Sequence, residues 1–233
     1  MEAFKNMKFL TGDEARGIRI LCEYVEPKNR LRAEGVSRGI IFFGSARVRK
    51  ESADADSARH YRDAADLAER LARWTLSAHV PRRYYHICTG GGPGIMQAAH
   101  EGAARVHRKL NIGLSIALPN EQIPNEFLDQ DRDFDFHYFF MRKFWFMNIA
   151  EAFVIFPGGF GTFDELFEVL TLMQTQRSVK RPTVLFDSGF WRDTVNFEGF
   201  VRRGLINAED LSLFHFSDTV DDAFEFLSNA LPK

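Results

Sequence analysis

The segment Pro157-Gly158-Gly159-Phe160-Gly161-Thr162 has the composition of an anion cradle. Glycines let a backbone approach a ligand with no Cβ in the way. A helix opening behind them turns unpaired N–H groups and a positive dipole end toward a phosphate. Thr162 adds a hydroxyl. The same glycines also suit a plain strand-to-helix turn, so the segment alone leaves both readings open. Two further loops share its character, Gly44-Ser45-Ala46-Arg47 and the run Gly90-Gly91-Gly92-Pro93-Gly94. No GK[ST] ending follows, which argues against a triphosphate P-loop. The third glycine of a dinucleotide fingerprint is missing as well. A mononucleotide phosphate fits better.

These loops need strands to launch them. Gly39 to Phe43, Tyr84 to Thr89, Asn111 to Leu118, Phe153 to Phe156 and Thr183 to Phe186 read as strands, with a short edge strand at Leu213 to Phe216. Between them lie helical patterns at Arg59 to Trp74, Ile95 to His107, Met141 to Ala150, Thr162 to Thr175 and Phe190 to Arg203, and Val220 to Leu231 closes the chain. Pro119 to Asp133 reads as a polar loop and Phe134 to Phe140 as an extended aromatic segment. The alternation predicts an α/β fold, a parallel sheet with helices on both faces. All three glycine loops then emerge at the carboxyl edge of the strands, where such sheets bind ligands. The amino end of the helix near Met141 lies at that edge too, so Arg142 and Lys143 are expected to face the same crevice. Residues 1 to 36 form a separate N-terminal helical arm, and 37 to 233 the main domain. In the arm, Thr11 and Glu14 have capping-box spacing ahead of one amphipathic helix, which precedes the basic stretch Arg30 to Arg38.

The run Gly90 to Met96, together with Pro157 to Glu165 and the Arg142-Lys143 pair, resembles the paired signature of the LOG (Lonely Guy) phosphoribohydrolases. The resemblance runs from about Gly39 to Phe216, and the arm is similar to that of the longer LOG-like branch. It implies a Rossmann-like fold, assembly into dimers or larger homo-oligomers, and hydrolysis of the N-glycosidic bond of cytokinin riboside monophosphates or AMP. It further implies that Glu165 is the ribose-side carboxylate and Arg142 its electrostatic partner. Gly158, Gly159, Gly161 and Thr162 would hold the phosphate, with Gly91 and Gly92 shaping the opposite wall and Lys143 completing the Arg-Lys pair. Short family members read Met-His-Glu before that pair, whereas this chain reads Phe139-Phe140-Met141. The pocket wall is therefore more apolar, and the base preference does not carry over. The family's older label, lysine decarboxylase, finds no pyridoxal-lysine context here.

Each role has a plainer counterpart. Thr162 and Glu165 also have capping-box spacing, so Glu165 could satisfy a backbone N–H at a helix start. Arg142 and Lys143 could be exposed polar positions among Phe139, Phe140, Phe144, Trp145 and Phe146, where an Arg stacks for stability alone. Arg47 could touch a ligand or only its own loop. A non-catalytic nucleotide- or cofactor-binding carrier on the same fold is the alternative function. An interaction protein with a Phe-rich partner surface is a third.

Composition narrows the remaining classes. The chain has 233 residues, net charge -2 and 24 Phe. So balanced a charge offers no field for nucleic acid. That many rings point to a large core, a subunit interface, or both. The longest apolar stretches are strand-length, too short to cross a bilayer, and no secretory signal is visible. Cys22 and Cys88 form no CxxC, so a cytoplasmic location is expected. His100, His107 and His137 are scattered without metal-ligand spacing, and neither metal nor cofactor is expected.

Overall fold

A computed structural model describes residues 1–117 and 124–232. The arm holds α1 (Met7–Leu10) and α2 (Arg16–Ala33). The body then runs β1 (Gly39–Phe43), α3 (Ala55–Ala78), β2 (His86–Thr89), α4 (Ile95–His107), β3 (Asn111–Ile116), β4 (Asp133–Phe136), α5 (Phe139–Ile149), β5 (Ala150–Ile155), α6 (Phe160–Gln174), β6 (Thr183–Phe186), α7 (Ser188–Thr194), α8 (Phe197–Arg202), β7 (His215–Ser217) and α9 (Val220–Ala230). Leu118 and the first part of the expected polar loop, Pro119 to 123, lie outside the described residues.

The seven strands form one sheet in the order β4-β3-β2-β1-β5-β6-β7, and every pairing is parallel. β1 is buried along its whole length because alternate residues feed two cores. Ile41 and Phe43 point into a cluster with Trp145, Phe146, Leu166 and Trp191, under α5 to α8. Ile40 and Phe42 point into the opposite cluster with Leu67, Leu71, Ile95 and Leu227, under α3, α4 and α9. From β1 the chain winds outward through β2 and β3, and from β5 it winds the other way. The β1/β5 junction is therefore the topological switch point, where a crevice opens at the strands' carboxyl ends.

Several local expectations change in three dimensions. Thr11 caps nothing ahead of it. It ends α1, and its hydroxyl donates to the Met7 carbonyl at 2.8 Å. α2 carries on through the first of the basic residues to Ala33 despite Pro27. The aromatic stretch divides, Phe134 and Phe136 entering β4 while Phe139 and Phe140 open α5. The helix expected over Phe190 to Arg203 is two short helices, because Asn196 caps a new one by accepting from the Gly199 N–H.

Candidate active site

Three loops meet at the switch point, and Ser45 holds them together. Its N–H donates to the Pro157 carbonyl (3.0 Å), and its own carbonyl accepts from the Ile95 N–H (3.1 Å). Such backbone-to-backbone contact requires glycine. Gly94 has φ +72°, and a Cβ there would fall 2.2 Å from the Ser45 oxygen. A Cβ on Gly158 would fall 2.1 Å from Thr162 Oγ1. The triple-glycine run is pinned from behind. Asn125 Nδ2 donates to the carbonyls of Gly91 (2.9 Å) and Gly92 (3.2 Å). It also lies 3.1 Å from Nδ1 of buried His100, whose Nε2 lies 3.2 Å from the Ile112 carbonyl. Burial pushes His100 down to about 4. The ring is thus neutral, with Nδ1 free to accept and Nε2–H to donate.

The loops surround a cavity of about 970 Å³, within the range of small-molecule sites. One end is the start of α6. Gly159 is its N-cap, and the N–H groups of Thr162 and Phe163 both return to the Gly159 carbonyl. Helix geometry leaves the amides at Phe160 and Gly161 without intrahelical partners, at the positive end of the helix dipole. The other end is apolar, lined by Phe43, Met96, Ile116, Phe139 and Phe146.

Arg142, in the first turn of α5, and Glu165, in the second turn of α6, meet between these ends. Their closest N–O distance is 3.7 Å, and both are largely buried. Burial pushes the Glu165 carboxyl up to about 7, even though Lys143 and Arg142 oppose the rise. Burial likewise holds the Arg142 guanidinium below its usual value. Its Nε is buried without a hydrogen-bond partner, while the group lies over the Phe139 ring at 5.1 Å. The helix start at Phe160 also removes the capping reading of Glu165. Thr162 is the third helical residue, so Glu165 stands well inside α6.

The structure gathers Arg142, Glu165, Gly158, Gly159, Gly161 and Thr162 around one cavity, and Arg47 lines it as well. Gly90 forms the glycine-run wall, with Gly91 and Gly92 behind it, their carbonyls held by Asn125. Lys143 departs from expectation. One residue along a helix turns about 100°, and its Nζ lies 2.8 Å from Asp164 and 2.7 Å from Glu168, outside the cavity wall. Burial opposes protonation of Lys143, yet these two bonds leave its pKa raised. Ser45, His100 and Asn125 carry no local sequence signal for these roles, because their partners lie on other loops and strands. Among the described residues, no group of three or more His, Cys, Asp or Glu side chains could hold a metal ion.

Fold and site together define an α/β protein with a buried carboxylate–guanidinium pair beside the glycine-rich amino end of a helix. A family model described as "Possible lysine decarboxylase" matches residues 96–227. Cytokinin riboside 5′-monophosphate phosphoribohydrolase LOG2 of Arabidopsis thaliana is 30% identical over 216 residues, covering 89% of this chain and 88% of the relative. The chain belongs to the LOG family. Among other relatives, the pyrimidine/purine nucleotide 5′-monophosphate nucleosidase of Escherichia coli (strain K12) is 34% identical over 102 residues, 39% of this chain and 21% of that protein. The X-ray structure of TM1055, a structural-genomics target, shares the fold with a TM-score of 0.52 at 18% identity, covering 82% of this chain and 99% of that one. The decarboxylase label implies pyridoxal phosphate, which needs a lysine at its aldehyde. No lysine lines this cavity among the described residues, and Lys143 is committed to two carboxylates. The residues present do not fit that cofactor.

Proposed function

We propose that the chain hydrolyses the N-glycosidic bond of nucleoside 5′-monophosphates, releasing free base and ribose 5-phosphate. The observation that carries this reading is the Arg142–Glu165 pair, buried between an anion cradle and an apolar wall. A monophosphate fits that order of parts. Its phosphate takes the start of α6, with Gly158, Gly159, Gly161 and Thr162. Its ribose lies against Glu165, and its base packs toward Phe139, Met96 and Ile116.

Cleavage of the C1′–N bond builds positive charge on the ribose and negative charge on the departing base. Ionised Glu165 offsets the first and orients the attacking water. The water oxygen bonds to C1′ as the C1′–N bond breaks, the carboxylate takes one of the water's protons and returns it to solvent, and the departing base takes one proton from solvent. Arg142 favours the charged form of Glu165 and supplies a fixed positive charge beside the breaking bond. The names of the relatives, which act on cytokinin riboside and nucleotide 5′-monophosphates, support the same chemistry.

The deciding experiment is hydrolysis of AMP and other nucleoside monophosphates by wild type and Glu165→Ala. Base and ribose 5-phosphate from the first, lost in the second, carry the reading. Phosphate-dependent binding without turnover would leave the carrier reading in its place.

Two further features belong to the proposal. Leu21 on α2, Phe140 and Phe144 on α5 and Phe160 on α6 are exposed, and exposed apolar side chains of this size suit burial against a second copy of the chain. Sedimentation should then show a dimer or larger assembly that Phe144→Asp dissociates. The cytosol is the proposed compartment. Both cysteines are free, and among the described residues no helix is long and apolar enough to cross a membrane.

A further inference from the structure

We propose that Glu23, on the N-terminal arm, is a positioning residue for Arg142, so that the arm is a working part of the site. The inference rests on the catalytic reading above. α5 carries Arg142 but has no side-chain cap of its own, since Tyr138 at its N-cap makes no such bond. Glu23 fills the gap from 114 residues away. One carboxylate oxygen accepts from the His137 N–H at 2.9 Å, the other from the Tyr138 N–H at 3.2 Å. The Glu23 backbone carbonyl also accepts from Trp145 Nε1 at 2.9 Å. One arm residue thus grips α5 on both sides of Arg142, at its opening and two turns along.

The charge of Glu23 matters as much as its reach. Arg142 is a buried cation in the first turn of a helix, where the macrodipole already presents positive charge. A carboxylate bound to the opening amides offsets that end of the dipole through charge-assisted bonds. The rest of the arm is anchored to hold it there. Arg30 donates to the Asp133 carbonyl at 2.8 Å and lies 3.8 Å over the Phe134 ring. Arg132 pairs with Glu34 at 2.9 Å.

Loss of Glu23 should therefore displace Arg142 while sparing the phosphate cradle, which is built on the loops after β1, β2 and β5. The test compares Glu23→Ala, Glu23→Gln and, as control, Arg19→Ala, whose guanidinium serves only the arm's own carbonyls of Leu10 and Gly12. With AMP, Glu23→Ala should lower kcat about tenfold or more with KM within about twofold, the signature of a misplaced group rather than a lost binding contact. Glu23→Gln keeps an accepting oxygen and should recover part of the loss, and Arg19→Ala should keep wild-type kcat. Unchanged kcat in Glu23→Ala, or an equal fall in Arg19→Ala, would overturn the proposal. Amide hydrogen exchange over 137–143 gives a readout independent of turnover. Faster exchange in Glu23→Ala but not in Arg19→Ala is expected, and unchanged exchange would sink the clamp. A wild type that hydrolyses no monophosphate would instead defeat the functional reading, leaving the clamp to be judged on exchange.

Discussion

Arg142 and Glu165 stand 3.7 Å apart, close enough to share charge and too far for a good direct hydrogen bond. A pair kept only for stability would close that gap, because burying two charges is repaid by tight, fully bonded geometry. Here Arg142 Nε is left without a partner and the Glu165 carboxyl sits near neutrality. Both groups hold unused capacity facing a cavity, which suits a site that completes its bonding with substrate.

The raised carboxyl fixes a pH dependence. On the proposed mechanism Glu165 works in its ionised form, and burial pushes it up to about 7 in the free protein. The kcat/KM for AMP should therefore climb between about pH 6 and pH 8 with a midpoint near 7. A rate profile across that range checks this. In Arg142→Met the carboxylate loses a cation that favours ionisation, so the midpoint should move upward. The rate itself should fall on the order of 10²-fold or more.

The same carboxyl should cost stability in alkaline solution. Its folded value lies above its ordinary 4.5, so the unfolded chain releases the proton first as pH rises. Stability contributed by the protonated group is full below about 4.5, declines toward 7 and stays low beyond. Glu165→Gln removes the ionisation and should be more stable than wild type at pH 8, by up to a few kcal/mol, with the gap closing near pH 4. Urea denaturation at the two pH values measures the difference.

Much of this arrangement was legible because its signals are local. The apolar run Gly39 to Phe43 and the glycine breaks after it mark β1 and its loop directly, and α4 spans Ile95 to His107, where its apolar periodicity lies. Parallel order then placed the glycine loops on one edge with no further information. What escaped depends on partners remote in the chain. The Thr11–Glu14 and Thr162–Glu165 spacings match a capping box, but Gly159 starts α6 early and α1 ends on Thr11. Lys143 turns away because Asp164 and Glu168 stand one helix over. The Glu23 clamp spans 114 residues, beyond the reach of any local pattern.

The glycines of the cradle should separate by function when each is replaced by alanine. At Gly158 the new Cβ would meet Thr162 and approach the Ser45 nitrogen at 3.0 Å. Gly158→Ala should thus lose stability, by roughly 1–3 kcal/mol, along with phosphate affinity. At Gly159 and Gly161 nothing lies within 4 Å of the added carbon, and neither φ is positive. Those variants should keep the wild-type melting temperature, yet raise KM for AMP by crowding the place proposed for the phosphate. Thermal melts beside steady-state kinetics distinguish the two patterns.

Discrimination should be steep for the phosphate and shallow for the base. The polar side chains on the cavity wall are Ser45, Arg47, Arg142, Thr162, Glu165 and Thr194, and the remaining side chains are aromatic or aliphatic. No Asn, Gln or Asp lines the cavity among the described residues, and its Phe139, Met96 and Ile116 end is apolar. An apolar wall distinguishes ligands by shape and area, worth about 10- to 200-fold between close analogues, whereas buried polar groups left unpaired reject an analogue far more strongly. AMP, GMP, CMP and UMP should therefore differ in kcat/KM by no more than about 10²-fold. Adenosine, which leaves the α6 amides unfilled, should fall below AMP by a larger factor. Phe139→Ala should raise KM for every monophosphate, since its ring both walls the base end and supports Arg142 at 5.1 Å. A panel of four monophosphates and adenosine tests the ranking, and a preference for one base exceeding the preference for the phosphate would overturn it.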